Sequence, residues 1–207
     1  DLFFDYIALA KRLQPKVVIA ENVKGMLQGN AKAYVKRVKA EFEAAGYVVQ
    51  LFLLNAASMG VPQRRERVFF VCQRKDMGWP RLVLDFQEKA IPFGDVFDKV
   101  ATGRVSLSPS YVEHWKKAGR DGRAKTDKGN TFGYMFRCNW NEPIATILAS
   151  SSTAYALPTS PERLTSNELK LCGTYPLDYS FANIDPPYLI GMSVPPVMTA
   201  QIAHQIN

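Results

Sequence analysis

Val17-Val18-Ile19-Ala20-Glu21-Asn22-Val23 decides how the chain is read. Its first four residues are too few for a helix and rich in β-branched side chains. They predict a strand buried on both faces, with Glu21 at its carboxyl end. Ahead of it Leu2, Phe3, Tyr6, Leu9, Ala10 and Leu13 recur at helical spacing until Pro15 stops the pattern. Behind it Tyr34, Val35, Val38, Phe42 and Ala45 share one face of a segment that ends at Gly46, which predicts a crossover helix. Residues 47–54 and 68–72 are rich in β-formers. The Gly60-Val61-Pro62 turn between them opposes a helix, so the connection reads as a loop between antiparallel strands. Helix, strand, helix, strand, loop, strand fits one edge of an open α/β sheet, where ligands gather outside the carboxyl ends of strands.

Past Lys75 the periodicity fades into short apolar pieces broken by Pro80, Pro92, Gly94, Gly103 and Pro109. A smaller irregular domain is expected there, with a linker near Asp76-Met77-Gly78-Trp79-Pro80. Residues 116–129 are basic, Gly-containing and almost free of large apolar groups, which predicts a mobile loop. The expected division is 1–77 for the α/β part, 78–184 for the irregular domain, and 185–207 as a segment returning to pack on the first.

Composition narrows the class. At 207 residues and 47% hydrophobic the chain can bury a substantial core, and its net charge of +7 favours a polyanionic partner without saying which. No apolar run reaches the roughly 20 residues that cross a bilayer, and the start lacks a signal-peptide pattern, so no membrane partner and a cytoplasmic location are expected. Cys72, Cys138 and Cys172 are widely spaced and odd in number, and the two histidines, His114 and His204, lie far apart. Neither a disulfide framework nor a metal site is expected. Because the chain begins with Asp1, it is expected to be a piece of something longer.

Two places suggest a reaction. A partly desolvated carboxyl group at a strand end, as at Glu21, can be neutral enough to donate a proton; the bland alternative is a capping or solvated carboxylate. Gln63-Arg64-Arg65-Glu66-Arg67 follows a Gly-Val-Pro turn and runs into Val68-Phe69-Phe70-Val71. In a strand i and i+2 share a face, so Arg65 and Arg67 are expected to form a matched fork for a phosphate, a carboxylate or a base carbonyl. The alternative is a solvated strand edge.

Together, ENV after a short strand and QxRxR after a GxPQ turn resemble two ordered motifs of the cytosine-5 DNA methyltransferases. Pro143-Ile144-Ala145-Thr146-Ile147 resembles that family's threonine-containing recognition segment. Arg163-Leu164-Thr165-x-x-Glu168 with Gly173-x-Tyr175-Pro176 resembles its next motif, and Gly191-Met192-Ser193-Val194-Pro195-Pro196 its last. These matches span nearly the whole chain in family order. The family's glycine-rich cofactor motif and Pro-Cys nucleophile loop normally precede the first helix and have no match here. None of the three cysteines follows a proline, and Met192 stands where the family usually has Asn.

The resemblance implies part of a methyltransferase-type, Rossmann-like mixed sheet plus a target-recognition domain over about residues 79–160. It implies methyl transfer from S-adenosylmethionine to carbon 5 of a cytosine flipped out of double-stranded DNA. By this likeness Glu21 addresses ring N3, Arg67 holds the base near its carbonyl, and Arg65 supports the loop or the nucleophile. Gly191, Ser193 and Val194 would border the cofactor. Asn22, Gln63 and Thr146 would face DNA, with Lys116 and Arg123, and also Arg104, Lys117, Arg120 and Lys125, as phosphate contacts. Three functions fit: part of an active enzyme whose front half is missing or supplied by a complementing polypeptide, a non-enzymatic DNA-binding module, or a subunit supporting a catalytic partner.

Overall fold

A computed structural model describes residues 2–29, 31–99, 101–119, 122–126 and 128–206. The chain forms two compact units, one from Asp1–Asn55 and Glu66–Asp85, the other from Ala56–Arg65 and Phe86–Gln205.

The first unit opens with α1 (Leu2–Leu13), β1 (Val17–Val23), α2 (Ala31–Ala44) and β2 (Tyr47–Asn55). The chain then contributes β3 (Gln63–Arg64) to the second unit and returns as β4 (Glu66–Arg74). The sheet order is β1-β4-β2, with β4 antiparallel to both neighbours. β1 and β2 therefore run parallel, as the α2 crossover requires. Strand alternation builds the core: Val18 and Ala20, Val68, Phe70 and Cys72, and Tyr47 and Val49 pack with Ile7 and Ala10 of α1 and Val38 and Phe42 of α2. Phe42 and Phe70 are fully buried, each contributing on the order of 1.5–3 kcal/mol relative to exposure. Phe3 sets its ring edge-on to both, at 6.4 and 5.5 Å.

Three expectations change. β1 extends through Glu21 to Val23, so Glu21 lies within the strand rather than past it. It is also not buried on both faces, since Ile19 and Val23 are 39% and 53% exposed. Among the described residues β1 pairs only with β4, and the helices pack with its Val18 and Ala20 side. At the anticipated linker, Lys75–Met77 form a 3-10 turn closed by Gly78 in the left-handed region, φ 61°. The following segment stays with the sheet: the Gln50 amide donates to the Leu82 carbonyl at 2.9 Å and accepts from its N–H at 2.8 Å. The chain leaves this unit after Asp85.

The second unit is assembled from short pieces: α3 (Phe93–Val96), α4 (Pro109–Lys117), β5 (Met135–Arg137), β6 (Ile144–Ala145), β7 (Ala154–Ala156), α5 (Ser166–Cys172), α6 (Pro186–Met192) and α7 (Pro196–Ile206). β3 pairs in parallel with β6, and β5 with β7. Such ladders are too short to hold a fold, and side chains take over. Arg104 donates to both carboxylate oxygens of the fully buried Glu168 at 2.6 and 2.7 Å, and Glu168 closes a capping box with Thr165 at the start of α5. Trp115 Nε1 donates to the Leu157 carbonyl, and Arg137 donates twice to the Pro158 carbonyl while stacking on Trp115. α6 and most of α7 group with this unit.

The basic stretch is not a free loop along its length. Lys116 and Lys117 end α4, Gly122 and Ala124 are buried, and the carbonyls of these two accept from Arg137 N and Phe132 N, both at 2.8 Å. Gly122 holds φ 77° against the Arg137 carbonyl, where a Cβ would collide. Composition conceals this, because the packing is made by backbone and by partners beyond the stretch. Arg120 lies outside the described residues.

Candidate active site

In the first unit β4 runs beside β1 with Val23 opposite Arg67 and Glu21 opposite Phe69. That register makes Glu21 and Arg67 diagonal neighbours on one face of an antiparallel pair. Arg67 Nε reaches Glu21 Oε1 at 2.8 Å, with 13% of the arginine and 30% of the glutamate side chain exposed. Arg67 Nη1 also donates to the Glu66 carbonyl at 2.8 Å. Burial pushes the guanidinium below its ordinary value, and the charge and hydrogen bond of Glu21 offset part of that. A half-exposed carboxyl and a guanidinium are thus fixed side by side and open to solvent on the carboxyl side. Asn22 accepts its neighbour Val23's N–H at 2.8 Å through Oδ1. Lys24 pairs with Glu66 at 2.7 Å.

Arg65 and Arg67 do not form the expected fork. Residue 65 falls between β3 and β4, so strand alternation does not carry from one arginine to the other. Arg65 is 1% exposed and belongs to the second unit, donating from Nη1 to the Ile147 carbonyl at 3.0 Å and from Nη2 to the Gly191 carbonyl at 2.7 Å. Gln63, also 1% exposed, accepts from Ile147 N at 3.0 Å and donates to the Cys172 carbonyl at 3.3 Å. Both ends of its amide are engaged inside the unit, so it joins chain segments rather than presenting to DNA.

Among the other second-unit candidates, Thr146 is half-buried and its hydroxyl donates to the Arg64 carbonyl at 2.6 Å. Lys116 is exposed beside Glu113. Arg123 lies over the Phe136 ring at 4.4 Å, and Arg104 is committed to Glu168, whose hydrogen bonds hold its guanidinium above the ordinary value against burial. Lys117 and Lys125 are exposed. Gly191 packs where a Cβ would strike the backbone of Leu148 and Ala149. Ser193 donates its hydroxyl to the Ile190 carbonyl at 3.0 Å, and Val194 is half-buried. Ser193 and Met192 edge a depression of about 260 Å³ shared with Tyr175, Tyr179, Phe181 and Leu189.

That depression has no carboxylate to hold a ribose or a sulfonium, and the Gly191 carbonyl and Ser193 hydroxyl are engaged internally. The described residues do not by themselves make a site for S-adenosylmethionine. Nor do they supply a thiolate: burial pushes Cys72 and Cys138 up to about 12 and Cys172 well above its ordinary value. One contributor has no motif signal. Tyr155 donates to the Thr146 carbonyl at 2.7 Å and accepts from Leu148 N at 2.8 Å, contacts that no local pattern announces.

The family model described as C-5 cytosine-specific DNA methylase matches residues 1–207. The type II methyltransferase M.FnuDI of Fusobacterium nucleatum is 54% identical over 76 residues, 37% of this chain and 22% of that protein. M.NgoFVII of Neisseria gonorrhoeae is 28% identical over 238 aligned residues, covering all of this chain and 62% of that protein. In both, the match covers less than two thirds of the relative's length. Among solved structures, a DNA modification methyltransferase encoded within an E. coli prophage superposes with TM-score 0.72 at 14% identity, over 97% of this chain and 71% of that one. The Dnmt2 methyltransferase of S. pombe does so with TM-score 0.64 at 14% identity, over 99% and 70%. At these identities the likeness is one of fold, the Rossmann-like mixed α/β class. No helix among the described residues is long and apolar enough to cross a membrane.

Proposed function

The chain belongs to the C-5 cytosine-specific DNA methylase family, and we propose that it supplies the base-holding and DNA-reading part of an enzyme that methylates carbon 5 of a flipped cytosine in duplex DNA. The observation that carries this reading is the Glu21–Arg67 pair, 2.8 Å apart on one face of β1 and β4. Cytosine presents ring N3 next to its carbonyl oxygen. A carboxyl proton donated to the first and a guanidinium N–H donated to the second engage both, and protonation at N3 draws electrons from the ring so that a thiolate can add at carbon 6. Without DNA the two side chains satisfy each other, and an incoming base exchanges that contact for its own.

The methyl donor is S-adenosylmethionine in the complete enzyme, with Gly191, Ser193 and Val194 near at most one wall of its site. The chain's own residues act on the base and on DNA. Residues 79–160 are assigned to target recognition, with Thr146, Lys116, Arg123, Lys117 and Lys125 as its DNA contacts, and Asn22 in β1 is a further DNA contact from the first unit. Flipping costs a few kcal/mol, which phosphate contacts help offset.

With its three thiols buried and held neutral, the chain alone is expected to bind duplex DNA without methylating it. A non-enzymatic DNA-binding module is the second reading, favoured by the same thiols. Incorporation of labelled methyl groups separates the two. The chain is assayed alone and mixed with an amino-terminal segment carrying the glycine-rich and Pro-Cys motifs of the family. Incorporation only in the mixture supports the enzyme reading, none in either supports the module, and turnover by the chain alone would sink the assignment of the nucleophile elsewhere.

A further inference from the structure

Residues 146–148 carry four backbone polar groups that three side chains from other parts of the chain engage. The Thr146 carbonyl accepts from Tyr155 Oη at 2.7 Å and Leu148 N donates to Tyr155 Oη at 2.8 Å, while Ile147 N donates to Gln63 Oε1 and the Ile147 carbonyl accepts from Arg65 Nη1, both at 3.0 Å. All three supporting side chains are buried, at 3%, 1% and 1% exposure. Tyr155 is itself clamped by its ring, stacked on Phe136 at 5.2 Å and 7°. Gly191 closes against the backbone of Leu148 and Ala149, where no Cβ fits. On the outward side Leu148 is 38% exposed, and Ala149, Ser151 and Ser152 are exposed as well.

A short segment whose backbone is held from behind, with Leu148 and Ala149 facing out, has lost much of its conformational freedom before any partner arrives. That lowers the entropy cost of binding and fixes which outward groups can be matched. Outward apolar side chains such as Leu148 and Ala149 suit thymine methyls. Residues 146–149 fall within the region assigned above to target recognition, and we infer that Tyr155 is the positioning residue that sets the shape of this segment. The inference rests on the DNA role proposed above and names the buried group that makes reading sequence-selective.

Tyr155→Phe keeps the ring stacked on Phe136 and removes only the hydroxyl. In the chain alone, amide exchange at Leu148 should quicken about tenfold or more once its acceptor is gone. In selection from a duplex library with a randomised centre, the wild-type chain should enrich a defined sequence. The variant should hold the unselected pool with affinity within about twofold, since phosphate contacts remain, but enrich that sequence about tenfold less. A second variant, Leu148→Ser, leaves the support intact and should change the enriched sequence. Unchanged Leu148 exchange or unchanged enrichment in Tyr155→Phe, the wild-type consensus at full strength in Leu148→Ser, or wild-type capture without an enriched sequence would each overturn this inference alone. A wild-type chain that captures no duplex overturns the DNA role and this inference with it.

Discussion

The two units hold their candidate residues in place by different means. In the first, a nine-residue central strand, β4, pairs along its length with β1 and β2, and the backbone register alone brings Glu21 beside Arg67. In the second, strands of two or three residues give almost no register. Buried polar side chains there do the fixing: Gln63, Arg65, Tyr155 and the Arg104–Glu168 pair. A ladder tolerates most single substitutions because many equivalent bonds share the task. A side-chain clamp concentrates it in one group, and removing one partner leaves another buried and unsatisfied.

The sharpest way to break this contrast is Glu168→Ala, which strands the Arg104 guanidinium beside an emptied, fully buried position. A loss of about 3–5 kcal/mol is expected in denaturant titration, and a loss under about 1 kcal/mol would show that the second unit does not depend on its clamps. Glu21→Gln tests the first unit in the opposite sense. In the assembled enzyme it should leave the unfolding midpoint nearly unchanged and slow methyl transfer by about 100-fold or more, because the amide cannot give up a proton to N3. An unimpaired rate would remove Glu21 from the chemistry. Gly191→Ala should cost the second unit about 1–3 kcal/mol, since the added methyl meets backbone rather than a flexible side chain; calorimetry reads this directly. The last effect is absent near neutral pH. Cys72 in the first unit and Cys138 in the second are both raised from 9.0 to about 12 by burial. Above pH 9 the unfolded thiols ionise while the folded ones do not, so the unfolded state binds fewer protons and stability falls as pH rises from 9 toward 12. Replacing either cysteine by alanine should flatten its share of that fall.

The same contrast explains what can be read from the residues. Helices α1 and α2 and the three long strands follow from 3.6- and 2-residue periodicities, and Glu21 and Arg67 stand out because they punctuate those periods. The length of β1 is harder to read, since Glu21-Asn22-Val23 carries a charged and an amide side chain that composition reads as a strand end, although β4 continues to pair with it. Periodicity has no purchase on the second unit. Thr165-x-x-Glu168 does signal a helix cap, but nothing near Glu168 announces Arg104, 64 residues earlier. Likewise Gln63 reads as a polar turn residue until Cys172 and Ile147 are found at its amide. Arg123 reads as a freely solvated side chain because the Phe136 ring beneath it is remote in sequence.

The Gln63-Arg64-Arg65-Glu66-Arg67 stretch is divided between the units, its first three residues belonging to the second and its last two to the first. On the target-recognition role proposed for the second unit, an engineer transplanting that preference between relatives would naturally excise residues 86–205 as a contiguous cassette. That graft would leave behind Gln63 and Arg65, the donor and acceptor groups around which residues 147, 172 and 191 are arranged. A workable chimera carries residues 56–65 along with the cassette, so the smallest exchangeable module in this chain is discontinuous in the gene.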